Sequence, residues 1–332
     1  MLNGGARRLS PLPRLAVFTN PRSRQNRRNP ALAEALGRCL GPDDVLYAPE
    51  DHAALDRVAA QLHAEGVSVI AVNGGDGSAH VVLTALARAW GDDPLPPLAP
   101  LRGGTMNTIA KAVGVRGRPE ALLLRLVERL DRGEPLPTAE RTLMKVTAGQ
   151  APPQYGFLFG NGLVSNYLEA YYEGSEPTPT KAIWVLVRGV LSAFVNGAFF
   201  RRLTRPVDVR VEADGVPWNA TRYPAIGAGT VEDVGFRFRP FFGALSHPGR
   251  IHALGFACPP LAVVFQLPRI RMAMPCRHPD IHSALVTTLH MRSDAPITFM
   301  IDGDFHAGAH ELRVEAGPTL RFVVAIGTPV QG

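Results

Sequence analysis

The chain is poor in cysteine, poor in charge and free of any long unbroken apolar run. Three of its 332 residues are cysteine, at Cys39, Cys258 and Cys276. Their odd number and wide spacing exclude a disulfide framework and a thiolate metal site, and fit a reducing cytoplasm. Charged residues make up 19% and aromatics 7%, too little of either for a solvated charge-block tail or an RNA-binding pattern of interleaved basic and aromatic residues. The longest apolar stretch, Ala182 to Phe200, is interrupted by Arg188 and Asn196 and is too polar for a spanning helix. It reads as a buried helix. Its flanks, Lys181 and Arg201, Arg202 and Arg205, keep a membrane-surface helix as the alternative. The opening MLNGGARRLSPLPR lacks the apolar centre of a secretory signal and reads as a loose tail over residues 1–13. No internal repeat is visible. Also missing are G-x-x-x-x-G-K-[ST], G-x-G-x-x-G and G-x-S-x-G, which removes the commonest NTPase, dinucleotide and serine-hydrolase signatures. His278 and His282 straddle Pro279, and His306 and His310 fall in strand-like sequence, so no zinc site is expected.

What is present describes a folded protein. Hydrophobic residues reach 46%, and 33 glycines and 30 prolines are scattered between periodic segments. The net charge of +6 suits an anionic partner such as a nucleotide or an acidic membrane surface, although a generally arginine-rich composition explains it equally well. Up to about residue 137, strands and helices alternate. Leu15–Thr19, Val45–Tyr47, Val67–Val72 and Leu98–Leu101 read as strands. Asn29-Pro30 opens a helix through Leu40, Ala53–Glu65 forms another, and a third runs from Ser78. That rhythm implies a parallel sheet covered by helices, whose ligands sit at the carboxyl ends of the strands. From Arg141 strand-like runs dominate, and Asp214-Gly215 and Asp302-Gly303 are hairpin signals. The expected fold is therefore an α/β nucleotide-binding domain over 14–137, then a mostly antiparallel β domain with inserted helices over 138–332. The C-terminal strands of the second can pack back on the first.

Three turns share one edge of the parallel sheet. Asn20-Pro21-Arg22-Ser23 follows the first strand. Gly74-Gly75-Asp76-Gly77-Ser78 follows the third, and Gly104-Thr105-Met106-Asn107 follows the fourth. Glycines at a strand-to-helix junction allow close backbone approach and expose amides, and a helix N-terminus favours an anion, so phosphate is the natural ligand. Asp76 would repel a phosphate unless a metal or a reacting proton intervenes.

Together these motifs resemble the diacylglycerol kinase catalytic-domain family, which includes bacterial diacylglycerol and other lipid kinases and the sphingosine and ceramide kinases. Its marks are an Asn-Pro-x-Ser loop, a Gly-Gly-Asp-Gly-Thr turn and a Pro-x-Gly-Thr-x-Asn turn. The segment GFRFRPFFGALSHPGRIHALGF and the late MIDGDFH extend the likeness into the second half. The resemblance implies an NAD kinase/diacylglycerol kinase-like fold and an enzyme using ATP and Mg²⁺ to phosphorylate a lipid hydroxyl, with diacylglycerol giving phosphatidic acid as the leading case. It implies nucleotide contacts from Asn20, Pro21, Arg22, Ser23, Gly74, Gly75, Asp76, Gly77, Ser78, Gly104, Thr105 and Asn107, with Mg²⁺ at Asp76. The base on the acceptor is Asp76, Asp302 or Asp304. It further implies a lipid substrate met at a membrane surface, an anionic membrane as partner and a cytoplasmic, peripheral location; no nucleic acid is expected. The chain departs from the family pattern at several positions. Ser78 replaces Thr, His80-Val81 replaces Asn-Glu, Thr108 replaces an Asp, and Asp304 replaces the late Glu. Pro248-Gly249 stands where bacterial members have an Asp-Gly that helps hold a structural Mg²⁺. Two rival readings remain: a kinase of a soluble metabolite such as NAD, and a lipid-binding protein that has lost transfer.

Overall fold

A computed structural model describes residues 14–324 apart from Arg22, Arg24, Gln25, Arg28, Pro30, Thr105, Met106, Thr108, Ile109, Ala112, residues 175–177 and Phe236. The tail expected over residues 1–13 lies outside the described residues, as do Arg22 and Thr105.

The first half alternates as its periodicity predicts. Strand β1 (Leu15–Thr19) pairs in parallel with β2 (Asp44–Tyr47) and β3 (Val69–Asn73), and β3 pairs in parallel with β4 (Leu98–Pro100). β1 and β3 are buried at every residue, which is why they read as unbroken apolar runs rather than alternating ones. Helices α1 (Leu32–Arg38), α2 (His52–Glu65), α3 (Asp76–Trp90) and α4 (Pro119–Asp131) accompany them. Asp51 caps α2 by accepting from the Ala54 amide at 2.7 Å. α1 starts at Leu32 rather than at Asn29-Pro30. α3 starts at Asp76, two residues earlier than its apolar pattern suggests, because Gly75 adopts the extended cap geometry.

The second half is built from β5 (Thr138–Ala148), β6 (Gln154–Gly156), β7 (Leu158–Gly162), β8 (Val207–Asp208), β9 (Arg210–Ala213), β10 (Val216–Pro217), β11 (Arg222–Tyr223), β12 (Ala225–Gly229), β13 (Ile251–Phe256), β14 (Ile281–Val286), β15 (Thr288–Ile301) and β16 (Asp304–Val323). Its helices are α5 (Leu163–Tyr172), α6 (Pro179–Phe194), α7 (Ala198–Leu203) and α8 (Pro260–Arg271). The predicted single helix over Ala182–Phe200 is two helices. The chain turns at Asn196, whose φ is +45°, and at Gly197, the cap of α7.

One mixed sheet spans both halves, in the order β14-β13-β12-β7-β15-β16-β4-β3-β1-β2. Long β16 makes the join. It pairs antiparallel with β15 and β5, and Phe322 near its end pairs in parallel with Leu98 of β4. Both predicted hairpins form, with φ of +48° and +80° at Asp214-Gly215 and of +49° and +94° at Asp302-Gly303. The second hairpin starts β16 close to the carboxyl end of β3, so it fixes which residues of the two halves meet.

Candidate active site

The turns after β1, β3 and β4 are tied together by amides. Asn73 Nδ2 donates to Thr19 Oγ1 and to Asn26 Oδ1, both at 3.1 Å. Asn26 Nδ2 donates to Thr19 Oγ1 at 3.1 Å and to the Asn20 carbonyl at 2.6 Å. Asn20 Nδ2 donates to Ser78 Oγ at 2.8 Å, linking the Asn-Pro loop to the first turn of α3. Ser23 holds the same loop through its backbone, its amide donating to the Asn20 carbonyl at 3.0 Å, while Pro21 is exposed. In the third turn the Asn107 side chain folds back on Gly104, accepting from its amide at 3.0 Å and donating to its carbonyl at 2.8 Å. The Asn107 carbonyl also accepts from the Lys111 amide. Asn107 thus shapes the turn and starts the following helical segment.

Backbone meets backbone between the second and third turns. A Cβ on Gly104 would lie 2.1 Å from Gly75 Cα, and one on Gly103 would lie 2.7 Å from the Gly74 nitrogen. Beside this contact α3 begins with no side-chain cap, so its first amides are open donors at the positive end of a helix dipole. Asp76 is the first residue of that helix. Its side chain lies outside the described residues.

From the other half, Asp304 reaches the same place. A Cβ on Gly77 would lie 3.2 Å from Asp304 Oδ1, so glycine there lets the carboxylate approach. Burial pushes the Asp304 carboxyl above the usual carboxylate range, partly offset by the nearby His52. Asp302 is arranged differently. Its side chain is 2% exposed. Its Oδ1 accepts from the Leu158 amide at 2.9 Å and the Phe157 amide at 3.0 Å. Asp302 therefore locks the hairpin to β7, while Asp304 faces the glycine turn.

Residues 14–134 match the diacylglycerol kinase catalytic domain. No curated protein sequence matches the chain. Among solved structures the chain is similar to a diacylglycerol kinase from Bacillus anthracis str. Sterne, with 13% identity, a TM-score of 0.60 and coverage of 94% of this chain and 96% of that one. Two further candidate diacylglycerol kinases from the same organism are similar at 16% and 14% identity, with TM-scores of 0.64 and 0.62. Each comparison covers 94% of this chain, and 96% and 97% of the other. These likenesses establish the fold over nearly the whole chain: a parallel core continued by antiparallel strands, of the diacylglycerol kinase and NAD kinase type.

The kinase domain's glycine turns adjoin a large apolar cavity in the second half. Its volume is about 570 Å³, and Val164, Tyr167, Leu186, Phe200, Phe241 and Leu267 are among its walls. Gly77, Asp302, Gly303 and Asp304 also line it. Sequence reading placed the two aspartates at the cleft but gave no sign of this cavity. Its walls come from five separate helices and from β7, β12, β13 and β15, and a contact assembled so far apart leaves no local pattern. Asn73 and Asn26 were also missed as organisers. An asparagine ending a fully apolar strand was the available signal.

A buried imidazole, His80, and a half-buried one, His306, lie beside the candidate site. The His80 and His306 rings are 6.0 Å apart, and His306 stacks on Phe299. His80 Nδ1 sits 4.0 Å from Asp302 Oδ2. That contact is not an ion pair, because burial holds the His80 pKa down to about 4, with His306 adding to the effect. His252 is pushed down to about 4 by burial as well. The sign follows directly. A histidine whose folded pKa lies below its unfolded value binds protons more readily when unfolded, so stability is full above about pH 6.5 and falls as pH drops toward 4. For His80 the loss amounts to about 3 kcal/mol at most. We expect the urea midpoint to fall between pH 7 and pH 5, and to fall less in His80→Asn. Equal pH slopes for the two proteins would remove His80 from the account.

Among the described residues no group of three or more His, Cys, Asp or Glu could hold a metal ion. At the family's structural Mg²⁺ position, Pro248 is exposed and the Gly249 amide donates to Thr142 Oγ1 at 2.9 Å. This donor set does not fit a metal there. Mg²⁺ carried by a nucleotide makes smaller demands, since phosphates and water supply most of its ligands. The open amides of α3 and the side-chain-free contact of Gly75 with Gly104 fit a polyphosphate.

Proposed function

We propose that this protein is an ATP-dependent lipid kinase that transfers the γ-phosphate to a lipid hydroxyl, with diacylglycerol as acceptor and phosphatidic acid as product. The match of residues 14–134 to a kinase catalytic domain supports the use of ATP. The observation that carries the lipid half is the apolar cavity with Asp304 and Gly77 in its wall. A soluble nucleotide acceptor would need polar partners along that space, whereas an acyl chain needs none.

ATP with Mg²⁺ supplies, when bound, the transferable phosphoryl group and the charge neutralisation it requires. The chain's own residues then have defined tasks. The first amides of α3 and the glycine pair bind the phosphates, and Asp76 holds the ion. Asn107 keeps the third turn in place, and Asn20 holds Ser78. The cavity takes the acyl part and excludes water from the reacting hydroxyl. Asp304 accepts the hydroxyl proton as the new O–P bond forms and the bond between the γ-phosphorus and its bridging oxygen breaks. A carboxyl raised by burial is a stronger base than an exposed one, which suits that step. The 14–137 segment is accordingly the nucleotide half and 138–332 the lipid half.

The test is transfer from γ-labelled ATP to diacylglycerol, monoacylglycerol, sphingosine, ceramide and NAD in parallel. Label in a lipid, strongest in phosphatidic acid, is expected. Label in NAD alone would replace the lipid reading with the soluble-metabolite one. Lipid binding without transfer to any acceptor would make the protein a non-catalytic relative.

A further inference from the structure

Helix α6 is apolar on both sides, yet only one side is covered. Val185, Leu186 and Val190 line the cavity. On the outer side Trp184, Leu191, Phe194 and Val195 are 57, 64, 65 and 78% exposed, and Ile183 and Val187 are exposed with them. A helix that is apolar all round is normally enclosed by protein or lipid. Here the described residues leave its outer face open, and α8, which packs near it, adds exposed Phe265 and Leu261.

The charges around this face select what covers it. Lys181, Arg188, Arg201, Arg202 and Arg205 fall within residues 178–207, a stretch with no aspartate or glutamate. Arg202 pairs with Glu173 at 2.9 Å and approaches Glu169 at 3.9 Å. The Arg188 guanidinium lies over the Trp184 and Phe199 rings, at 5.0 and 4.1 Å from their centroids. Cations at the border of an apolar strip, with tryptophan among them, match the headgroup level of an anionic bilayer. A second copy docked here about a two-fold axis would set basic stretch against basic stretch.

We infer that the outer face of α6 is a docking surface for an anionic membrane, with Trp184, Leu191 and Phe194 entering the acyl boundary. The inference deepens the lipid-kinase reading, because the same helix walls the cavity. A docked enzyme is separated from its acceptor by the width of one helix, about 10 Å. Docking itself needs no phosphoryl transfer, so its test is independent of activity.

The experiment is co-sedimentation of the full chain with sucrose-loaded vesicles of phosphatidylcholine containing about 30 mol% phosphatidylglycerol, and with vesicles of phosphatidylcholine alone. The protein should pellet with the anionic vesicles and be released in about 0.5 M salt. Trp184→Glu/Leu191→Glu, which alters only exposed positions, should weaken partitioning about tenfold or more. Its unfolding midpoint should stay at that of the parent, as should transfer to a water-soluble short-chain acceptor. A parent that does not pellet with anionic vesicles, or a double variant that pellets as well as the parent, overturns the inference. So does a parent dimer, seen by light scattering, that the double variant converts to monomer without any change in vesicle binding. Loss of short-chain transfer in the parent would instead count against the kinase reading and leave the docking result standing.

Discussion

Replacing Asp304 by asparagine lowers turnover by about a hundredfold or more while ATP affinity stays near that of the parent. The expectation rests on position. Asp304 Oδ1 is the atom that a side chain at Gly77 would meet at 3.2 Å, so the carboxylate lies against the first turn of the helix that Asp76 begins. It also lines the apolar cavity. A hydroxyl presented from that cavity toward the glycine turn therefore meets Asp304 first. Asparagine keeps the size and one acceptor but cannot take a proton. Because burial raises the Asp304 carboxyl, the acid limb of the parent's rate profile should lie above the range of an exposed aspartate, and that limb should vanish in the variant.

Asp302 supplies the contrast. Its Oδ1 accepts from the Phe157 and the Leu158 amides and its Oδ2 accepts from the Phe157 amide as well, at 3.1 Å; asparagine retains the Oδ1 contacts. The new Nδ2 would stand where Oδ2 now is, 3.1 Å from the Phe157 amide, donor against donor, and would also face His80 Nδ1, a buried nitrogen with no hydrogen-bond partner, across the 4.0 Å now separating it from Oδ2. Asp302→Asn should therefore keep turnover within a few-fold of the parent, with the two Oδ1 bonds holding the fold at a cost of about 1–3 kcal/mol for the lost Oδ2 contact. Stopped-assay turnover and calorimetric ATP binding on the two variants separate the roles. If both variants turned over normally, the base would have to be Asp76. If Asp302→Asn were the dead variant, the hairpin lock would be part of the chemistry.

How far the sequence reached depends on whether the signal is local. β1 and β3 were legible because a strand buried on both faces is a short apolar block bounded by breakers. The Asp302-Gly303 hairpin was legible because its positive φ values ask for those residue types. The turn motifs were legible because each is contiguous. Three things were not. The start of α3 was misplaced by two residues, since the geometry of Gly75, not an apolar period, sets it. The difference between Asp302 and Asp304 depends on β7, more than a hundred residues earlier in the chain. The outer face of α6 was assigned to the interior because Ala182–Phe200 is apolar on every side, and composition cannot tell a covered side from an open one.

The second large effect comes from adding a single methyl group. In Gly104→Ala the new Cβ would lie 2.1 Å from Gly75 Cα and 2.9 Å from the Gly75 nitrogen. Both neighbours are backbone, so no side chain can swing aside, and the turns must part by an ångström or more. Gly75 is the more forgiving partner, since a Cβ there would meet only Gly104 Cα, at 3.3 Å. Parting the turns moves the uncapped start of α3 away from the third turn and strains the two Asn107 hydrogen bonds to Gly104. Overpacking of this kind costs about 1–3 kcal/mol of stability. The functional loss should exceed what that stability loss explains, because displacing the amides proposed to bind phosphate by about 1 Å is enough for a hundredfold fall in kcat/KM. ATP affinity should fall with it, which distinguishes this variant from Asp304→Asn. Gly37→Ala serves as the control. That glycine is exposed in α1, and its Cβ would touch only Leu46, at 4.0 Å, so the change should leave transfer intact and raise stability by about 0.5–1 kcal/mol. Titration calorimetry and unfolding curves on both variants decide the matter. Parent-like ATP affinity in Gly104→Ala would mean that the contact between the two turns is not where the nucleotide is held.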